Sequence, residues 1–260
     1  MTLGELLRHT LEDLRDSPLE PVEVAIVASG IDATHPALQG RIAEAWAIAP
    51  GPGGATRTPC PAPSNQDVFG HGTSVAGIVA AIAPNAKLVD IRVLDNSNVA
   101  SGDTVVEGLR LAIERGIRVI NLSIACKARM APMLSELCEE AYRKNLLVVA
   151  AKRNMPLVDN GFPAELSATV SVDLGDFPSP FDLRYRPGDA IEFIGQGVDV
   201  PTWYRGGGGG KVTGTSFATP TVSGLCALIA GAAPSLRPFE VKTVLKHHAR
   251  PAAAGLAAPQ

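Results

Sequence analysis

The sequence predicts an α/β fold of three layers, in which helices cover both faces of a mostly parallel sheet. Short apolar runs alternate along the chain with helical patterns, and this alternation is typical of βαβ units. The run LLVVAA at residues 146–151 is apolar throughout, as expected of a strand covered on both faces. The 260 residues, 46% of them hydrophobic, can form one sizeable core. We therefore predict a single domain over residues 1–260.

The elements at the start of the chain follow from leucine spacing and from proline positions. Leucines at helical spacing predict a helix over residues 3–16, within an N-terminal extension of residues 1–20. An apolar strand is predicted at 22–28. Residues 49–66 are rich in Pro and Gly without periodicity, so we expect a long surface loop there. The 3–16 helix is expected to pack on the body, or alternatively to dock a partner.

The alternation of helices and strands continues beyond this loop. The predicted helices are 72–83, 103–115, 131–144, 215–230 and 238–247. The predicted strands are 88–94, 117–123, 146–151 and three short ones near 168–173, 191–194 and 198–200. The Ala/Pro-rich tail at 251–260 is expected to fray.

Composition narrows the classes of function. The net charge of −3 gives no reason to expect nucleic-acid or membrane binding. Acidic residues near the start and the lack of a long apolar run there predict no signal peptide and a cytoplasmic protein. The four cysteines have no paired metal-type spacing, so reduced thiols are expected. The apolar stretch 217–233 is interrupted by Pro and Gly and is expected to be a core helix.

Three segments carry residues suited to nucleophilic catalysis. DVFGHGTSVAG places His71 just before an apolar helix, VVAAKRN ends at Asn154, and GTSFATP places Ser216 at a helix start. A serine there lies beside free backbone N–H groups, in positive potential that favours an oxyanion. Asn154 can donate to that oxyanion and His71 can take the serine proton. Singly, each has an ordinary alternative: a helix cap, a structural histidine, a turn residue.

Together and in this order, the segments resemble the conserved blocks of the subtilisin-like serine proteases, the subtilase family. HGTSVAG is similar to the histidine block and GTSFATP to the serine block. INLS at 120–123 and VVAAKRN resemble the substrate-binding and oxyanion-asparagine strands, and EVKTVL at 240–245 resembles the final helix. The resemblance covers roughly residues 22–247. It implies peptide-bond hydrolysis in which Ser216 attacks, His71 is general base and then acid, and Asn154 binds the oxyanion.

One position departs from the family pattern. In subtilases the strand that resembles VAIVASG ends in the triad aspartate, and here that position is Ala28. The family pattern assigns the neighbouring Asp32 and Asp67 other, structural roles. In subtilisin, loss of the triad aspartate lowers kcat by a factor of about 3 × 10⁴. We expect a loss of kcat of similar size here. The protein with Ala28 at this position is therefore expected to be nearly inactive.

Two explanations of Ala28 are open. In the first, it is an introduced substitution that disarms a serine endopeptidase. In the second, the protein is a natural pseudoprotease that binds a peptide or partner without cleaving it. The intact His71, Asn154 and Ser216 favour the first, because a site freed from catalysis has no reason to retain all three. A structural subunit of a larger peptide-processing assembly is a weaker third alternative.

The resemblance also implies which residues contact a peptide or protein substrate. Residues 94–99 and 121–125 are expected to bind it as extended strands. The contacts expected on these two segments are Leu94, Asp95, Asn96, Ser97, Ser123, Ile124 and Ala125. Lys152 and Arg153 replace small residues in one pocket wall, and Ala125 and Cys126 replace glycines in the other, which narrows the pocket. An inward cation would favour acidic residues, but we expect both cations to face solvent. Gly161 and Thr215 complete the predicted substrate-binding set.

No metal or cofactor is expected. The connection AAIAPNAKLVDI is too short for the calcium loop that many secreted subtilases carry there, and a hard cation needs six or more oxygen ligands. The run GGGGGK at 206–211 lacks the spacing of a phosphate loop and is expected to be a flexible loop. About 20 residues precede the first strand, too few for a folded inhibitory propeptide.

Overall fold

Ten strands form one sheet in the computed structural model, which describes residues 1–61, 64–155 and 159–251. In chain order the strands are β1 (Val22–Ala28), β2 (Ile42–Gly51), β3 (Gly54–Cys60), β4 (Ala86–Arg92), β5 (Val119–Leu122), β6 (Leu147–Ala151), β7 (Val170–Gly175), β8 (Arg184–Tyr185), β9 (Phe193–Gln196), β10 (Val200–Trp203), β11 (Gly209–Val212) and β12 (Arg250–Pro251). The order in the sheet is β12-β8-β9-β7-β6-β5-β1-β4-β2-β3, and β10 and β11 form a separate hairpin. The seven adjacent strands β9-β7-β6-β5-β1-β4-β2 all pair in parallel, which confirms the mostly parallel sheet.

Seven α-helices surround the sheet in the described part of the chain. They are α1 (Leu3–Leu6), α2 (Leu11–Arg15), α3 (His71–Ile82), α4 (Gly102–Glu114), α5 (Ala131–Arg143), α6 (Thr215–Ala232) and α7 (Pro238–His248). Alternate residues of β1 enter two different cores: Ile26 and Ala28 pack with α3 and α6, whereas Ala25 and Val27 pack with α4 and α5. The predicted three-layer arrangement is thereby confirmed.

The parallel pairing places the predicted site residues at one edge of the sheet. The carboxyl ends of parallel strands meet at a common edge, where loops can bring side chains together. Ala28 ends β1, Ser123 follows β5, and Asn154 lies shortly after β6. Helices α3 and α6 begin near this edge, with His71 and Ser216 in their first turns.

The surface loop predicted at 49–66 is wrong for most of its length. Strand β2 continues to Gly51 and pairs antiparallel with β3 across a turn in which Gly53 and Gly54 have positive φ. Proline interrupts a ladder because it cannot donate, but it is tolerated in an edge strand, and β3 forms the sheet edge. The Pro/Gly-rich composition therefore marks an edge hairpin here.

The helix predicted over 3–16 is two short helices. Thr10 caps α2 by accepting from the Asp13 backbone N–H, and the Asp13 carboxylate accepts in return from the Thr10 N–H. This capping box starts a new helix and separates α2 from α1. Leu6, Leu11 and Leu14 are buried in the main core, so the extension packs on the body.

The flexible loop predicted at 206–211 is wrong for its second half, which is a strand. The run at 206–211 is part of the β10–β11 hairpin, in which Gly206 to Gly208 form the turn and Gly209–Val212 is a strand.

Helix α6 has the length and apolar character needed to cross a membrane, but 89% of it is buried inside the protein, as expected of a core helix. The tail predicted to fray lies almost wholly outside the described residues.

Candidate active site

The start of α3 is fastened to the chain just after β1. The Gly72 N–H donates to Ser29 Oγ at 2.9 Å, and the Asp32 N–H donates to Thr73 Oγ1 at 3.0 Å. A Cβ on Gly72 would lie 2.0 Å from the carbonyl oxygen of Gly30, so only glycine allows this approach. His71, the first residue of α3, is thereby held beside the strand end that carries Ala28.

Asp67 and Asp32 hold this junction and are occupied. Asp67 Oδ1 accepts from Ser29 Oγ at 2.8 Å and from the Gly70 N–H at 2.7 Å, and its Oδ2 accepts from the Thr73 N–H at 3.0 Å. Asp32 Oδ1 accepts from Thr34, and its Oδ2 accepts from the Gly206 N–H at 2.9 Å. Both carboxylates therefore stabilise the turn and the start of α3, in keeping with the structural roles that the resemblance implies.

His71 has one buried edge and one accessible edge. The side chain is partly exposed and its ring packs against Phe217, with centroids 5.5 Å apart, next to Ser216. Its Nδ1 is buried and has no hydrogen-bond partner among the described residues, while Ala28 is fully buried. Burial lowers the pKa of His71 to about 4, and the negative charge of Asp67 opposes this shift. The imidazole is therefore neutral at pH 7.

Ser216 and Asn154 meet at the start of α6. Gly214 precedes the helix with φ 153°, and a Cβ there would lie 3.5 Å from Ser216 Oγ and 3.6 Å from Asn154 Oδ1. Asn154 Oδ1 accepts from the Thr215 N–H at 3.0 Å and lies 2.9 Å from Thr215 Oγ1. This anchor leaves the Asn154 Nδ2 group as the donor. The structure thus brings Ser216 and Asn154 together, with the His71 ring on the adjacent Phe217.

A buried polar chain below Ser216 was not predicted from the sequence. Ser123 Oγ donates to the Ser216 carbonyl oxygen at 2.7 Å, and Asn121 Nδ2 donates to Ser123 Oγ at 3.0 Å. Ser223 Oγ in turn donates to Asn121 Oδ1 at 2.9 Å. The sequence signal was a polar residue inside the apolar run VINL. These hydrogen bonds connect the carboxyl end of β5 to α6, the helix that carries Ser216.

The expectation that Lys152 and Arg153 both face solvent is wrong. Lys152 Nζ lies 2.8 Å from Asp173 Oδ2, and only 15% of the lysine side chain is exposed. Arg186 binds the same oxygen at 2.8 Å, so one buried carboxylate holds two cations. Arg153 pairs with Asp159 at 2.9 Å and donates to the Cys126 carbonyl oxygen. Both cations are bound by protein groups.

The two walls of the predicted pocket are joined to each other. Cys126 and Phe162 exchange backbone hydrogen bonds of 2.8 and 3.1 Å, next to Ala125 and Gly161. A Cβ on Gly161 would lie 2.7 Å from the Cβ of Ala125, and Gly161 has φ 90°, so glycine is required there. The methyl group of Ala125 therefore lies against the opposite wall, at Gly161.

The segment 94–99 is not fully extended as predicted. Asp95 Oδ1 accepts from the backbone N–H groups of Ser97 and Val99 at 2.9 and 3.0 Å, which closes a turn that includes Asn96. Leu94 is buried and precedes this turn, whereas Ser123 to Ala125 run on from β5 outside any helix. Only the beginning of the first segment could pair with a peptide as a strand.

Within the described residues, no three His, Cys, Asp or Glu side chains cluster in a way that could hold a metal.

Comparisons with known proteins agree with this arrangement. The model of the subtilase family matches residues 20–174 and 191–259. The alkaline protease of Alkalihalobacillus alcalophilus is 33% identical over 237 residues, which cover 88% of this chain but 59% of that protein. Subtilisin Savinase of Lederbergia lenta is 32% identical over 237 residues, which cover 88% of this chain and 83% of that protein.

A solved structure supports the fold independently. Sphericase superposes with a TM-score of 0.71 at 23% identity, covering 90% of this chain and 86% of that one. The family match includes most of the chain, together with the segments that carry His71, Asn154 and Ser216. The chain therefore belongs to the subtilase family of subtilisin-like serine peptidases.

Proposed function

We propose that this protein is a serine endopeptidase that cleaves peptide bonds through an acyl-enzyme on Ser216. The observation that carries the proposal is the anchoring of Asn154 by Thr215 next to Ser216 Oγ. A side-chain amide fixed beside a nucleophile at a helix N-terminus suits the oxyanion of a tetrahedral intermediate. An ordinary helix cap would not need this neighbour.

The proposed reaction has two halves. His71 takes the proton of Ser216 while Oγ attacks the carbonyl carbon, and Asn154 donates to the resulting oxyanion. His71 then gives the proton to the leaving amine, which leaves an ester on Ser216. Water, activated by the same imidazole, hydrolyses that ester and restores Ser216.

The proton-transfer part of this site is proposed to be weak. An imidazole works best as a base when a carboxylate holds its Nδ1–H and stabilises the imidazolium. At the strand end this protein has the methyl group of Ala28, and His71 Nδ1 is unpartnered within the described chain. We infer that kcat is far below that of a form with a carboxylate at residue 28. In subtilisin, the loss of the corresponding carboxylate lowers kcat by a factor of about 3 × 10⁴.

A pseudoprotease is the second candidate, and the burial of Ala28 favours it. The methyl group is fully buried in the main core, so the strand end is packed without a carboxylate. In that case the cleft would hold a peptide or protein without cutting it. An intact Ser216 would then be incidental.

Slow hydrolysis of an unstructured peptide, measured with Ser216→Ala, separates the two candidates. We expect a slow rate for the parent protein that Ser216→Ala abolishes, and labelling of Ser216 by a fluorophosphonate in the Ala28→Asp form. Ser135→Ala is the matched control, because Ser135 lies on α5 at the opposite face of the sheet. A slow rate that survives Ser216→Ala would show that the assigned nucleophile is wrong.

A further inference from the structure

Asp90 is a buried acid in β4 that the predicted mechanism does not use. The residue is 1% exposed, in the middle of a strand that is otherwise apolar from Leu88 to Ile91. Its Oδ2 accepts from the Ile31 N–H at 2.9 Å. Its Oδ1 is buried and has no partner in the part of the chain that the structure describes. A half-satisfied buried carboxyl is costly, so its presence calls for an explanation.

The strand register places Asp90 beside the strand end that carries Ala28. In the parallel β1–β4 pair, Ala28 is opposite Arg92 and Ile26 is opposite Asp90. Side chains two residues apart share a face, so Asp90 and Ala28 lie on the same face of the sheet. From strand spacing and rise, their Cα atoms are about 8 Å apart. The bond to Ile31, three residues beyond Ala28, shows that the Asp90 carboxyl leans toward that edge of the sheet.

The turn that receives the Asp90 hydrogen bond also holds the start of α3. Within this turn Ile31 binds Asp90, while Ser29 binds the Gly72 N–H, next to His71. Asp90 Oδ1 and His71 Nδ1 are both buried and both lack a protein partner among the described residues. Buried polar atoms of this kind are normally bridged by an ordered water. Asp67 cannot fill the role because its oxygens already accept from the turn and from α3.

We propose that Asp90 is a positioning residue for His71, acting on the imidazole Nδ1–H through one bridging water beside the Ala28 methyl group. The proposal rests on the proposed function, since it concerns the proton transfer from Ser216. The methyl group of Ala28 offers the imidazole Nδ1 no polar partner at the strand end. Asp90 approaches this strand end from the neighbouring strand β4. Its carboxylate fixes the tautomer with Nε2 free and partly compensates the imidazolium charge.

The ionisation of Asp90 gives this role a pH dependence. Burial, with a contribution from the charge of Asp67, raises the pKa of Asp90 to about 8, while the Ile31 hydrogen bond and Arg92 act to lower it. His71 is the titratable group across the turn, and its pKa is about 4. A protonated carboxyl does not compensate an imidazolium, whereas a carboxylate does. The assistance therefore grows as pH rises through about 8.

The test measures kcat and kcat/KM against pH for the parent, Asp90→Asn, Ala28→Asp and the double variant. The asparagine oxygen can still accept from Ile31, so the change mainly removes the charge. We expect Asp90→Asn to lower kcat at pH 9 by about tenfold or more in the parent, or ~1.4 kcal/mol in the barrier. The rise through pH 8 should disappear with it. In the Ala28→Asp background, the same change should cost less than about threefold, because the strand-end carboxylate then does the work.

Equal losses in both backgrounds, or a change confined to KM or to melting temperature, would overturn the proposal. Asp16→Asn is the control, because Asp16 is an exposed carboxylate at the end of α2. Ser216→Ala is run alongside. If it leaves the parent rate intact, the proposed function fails, whereas an inert Asp90→Asn with Ser216-dependent hydrolysis defeats only the role of Asp90.

A second measurement covers the case in which Asp90→Asn does not fold. In the Ser216→Ala protein, nitrogen NMR of the His71 ring follows Nδ1 between pH 7 and 9. Ionisation of Asp90 should move that resonance, since the two groups share a water in the proposal. A His71 ring that does not respond over this range would also overturn the proposal.

Discussion

The two sides of the site are built to different degrees of completion. The proposed oxyanion side is Asn154, Thr215 and Ser216, where Thr215 holds Asn154 Oδ1 and Ser123 holds the Ser216 carbonyl. The proposed acid–base side is Ala28 and His71, where the backbone is fastened through Gly72 but the imidazole Nδ1 has no protein partner among the described residues. Both sides therefore hold their residues in position. Only the acid–base side lacks a group that could compensate the charge of an imidazolium on His71.

Ala28→Asp tests this comparison with the largest expected effect. A carboxylate there would hold the His71 Nδ1–H, and kcat should rise by about three to four orders of magnitude, the size of the effect that subtilisin shows on losing that group. The pKa of His71 should also rise from about 4, because a nearby negative charge favours the imidazolium. The acidic limb of kcat/KM would accordingly move to higher pH. A folded variant with less than about tenfold gain, on a peptide that both forms bind, would favour the pseudoprotease.

Removing the proposed oxyanion donor should have the next largest effect. Asn154→Ala is expected to lower kcat by about 10² to 10³, a range taken from the corresponding change in subtilisin. Thr215→Val removes the hydroxyl beside Asn154 Oδ1 but retains the backbone donor, so its loss should be smaller. Both losses should be the same with Ala28 and with Ala28→Asp if the two sides are independent. Strongly unequal losses would show that the sides are coupled.

The difference in acid stability between the parent and a His71 variant should report the acid–base side. The folded-state pKa of His71, about 4, lies below the unfolded value of 6.5, so the unfolded state binds more protons between these values. Stability from this group is therefore full above pH 6.5 and is lost as pH falls toward 4. Melting temperatures at pH 7 and pH 5 should differ less in His71→Gln than in the parent. An equal drop in both would show that His71 does not carry the shift.

The smallest expected effect concerns metal ions. The helix α3 is joined to β4 by only a few residues, and no metal-type cluster forms among the described side chains. A chelator should change the melting temperature by no more than about a degree, against the ~2–4 °C that 1 kcal/mol produces in a domain of this size. A large rise on adding calcium would contradict this expectation and indicate a site that spans other residues.

Local sequence was sufficient wherever one pattern dominated. Strand β1 and helices α3 and α6 were placed within a few residues, because their apolar runs and starting motifs agree. The β2–β3 hairpin was missed because proline and glycine signal a loop unless the strand lies at a sheet edge, and edge position is a tertiary property. The pairing of Lys152 with Asp173 was missed for the same reason, since it joins the residue just after β6 to a residue on the neighbouring strand β7.

The candidate site shows the same division. His71, Asn154 and Ser216 could be named from short motifs, but the partners that fix them could not. Thr215 was expected to contact substrate, whereas the structure shows that it holds Asn154. Asp90 appears in the sequence only as one acid in an apolar strand, and its relation to His71 depends on the register between β1 and β4.

The contact between Gly72 and Gly30 also determines where this protein tolerates change. A side chain on Gly72 would overlap the Gly30 carbonyl, and one on Gly30 would overlap the backbone at Gln66, so both positions admit only glycine. Random mutagenesis should therefore recover no active clone altered at either residue. Ala28 and Asp90 lie next to this joint, yet neither is part of it. A library that varies residues 28 and 90 therefore leaves the joint itself constant.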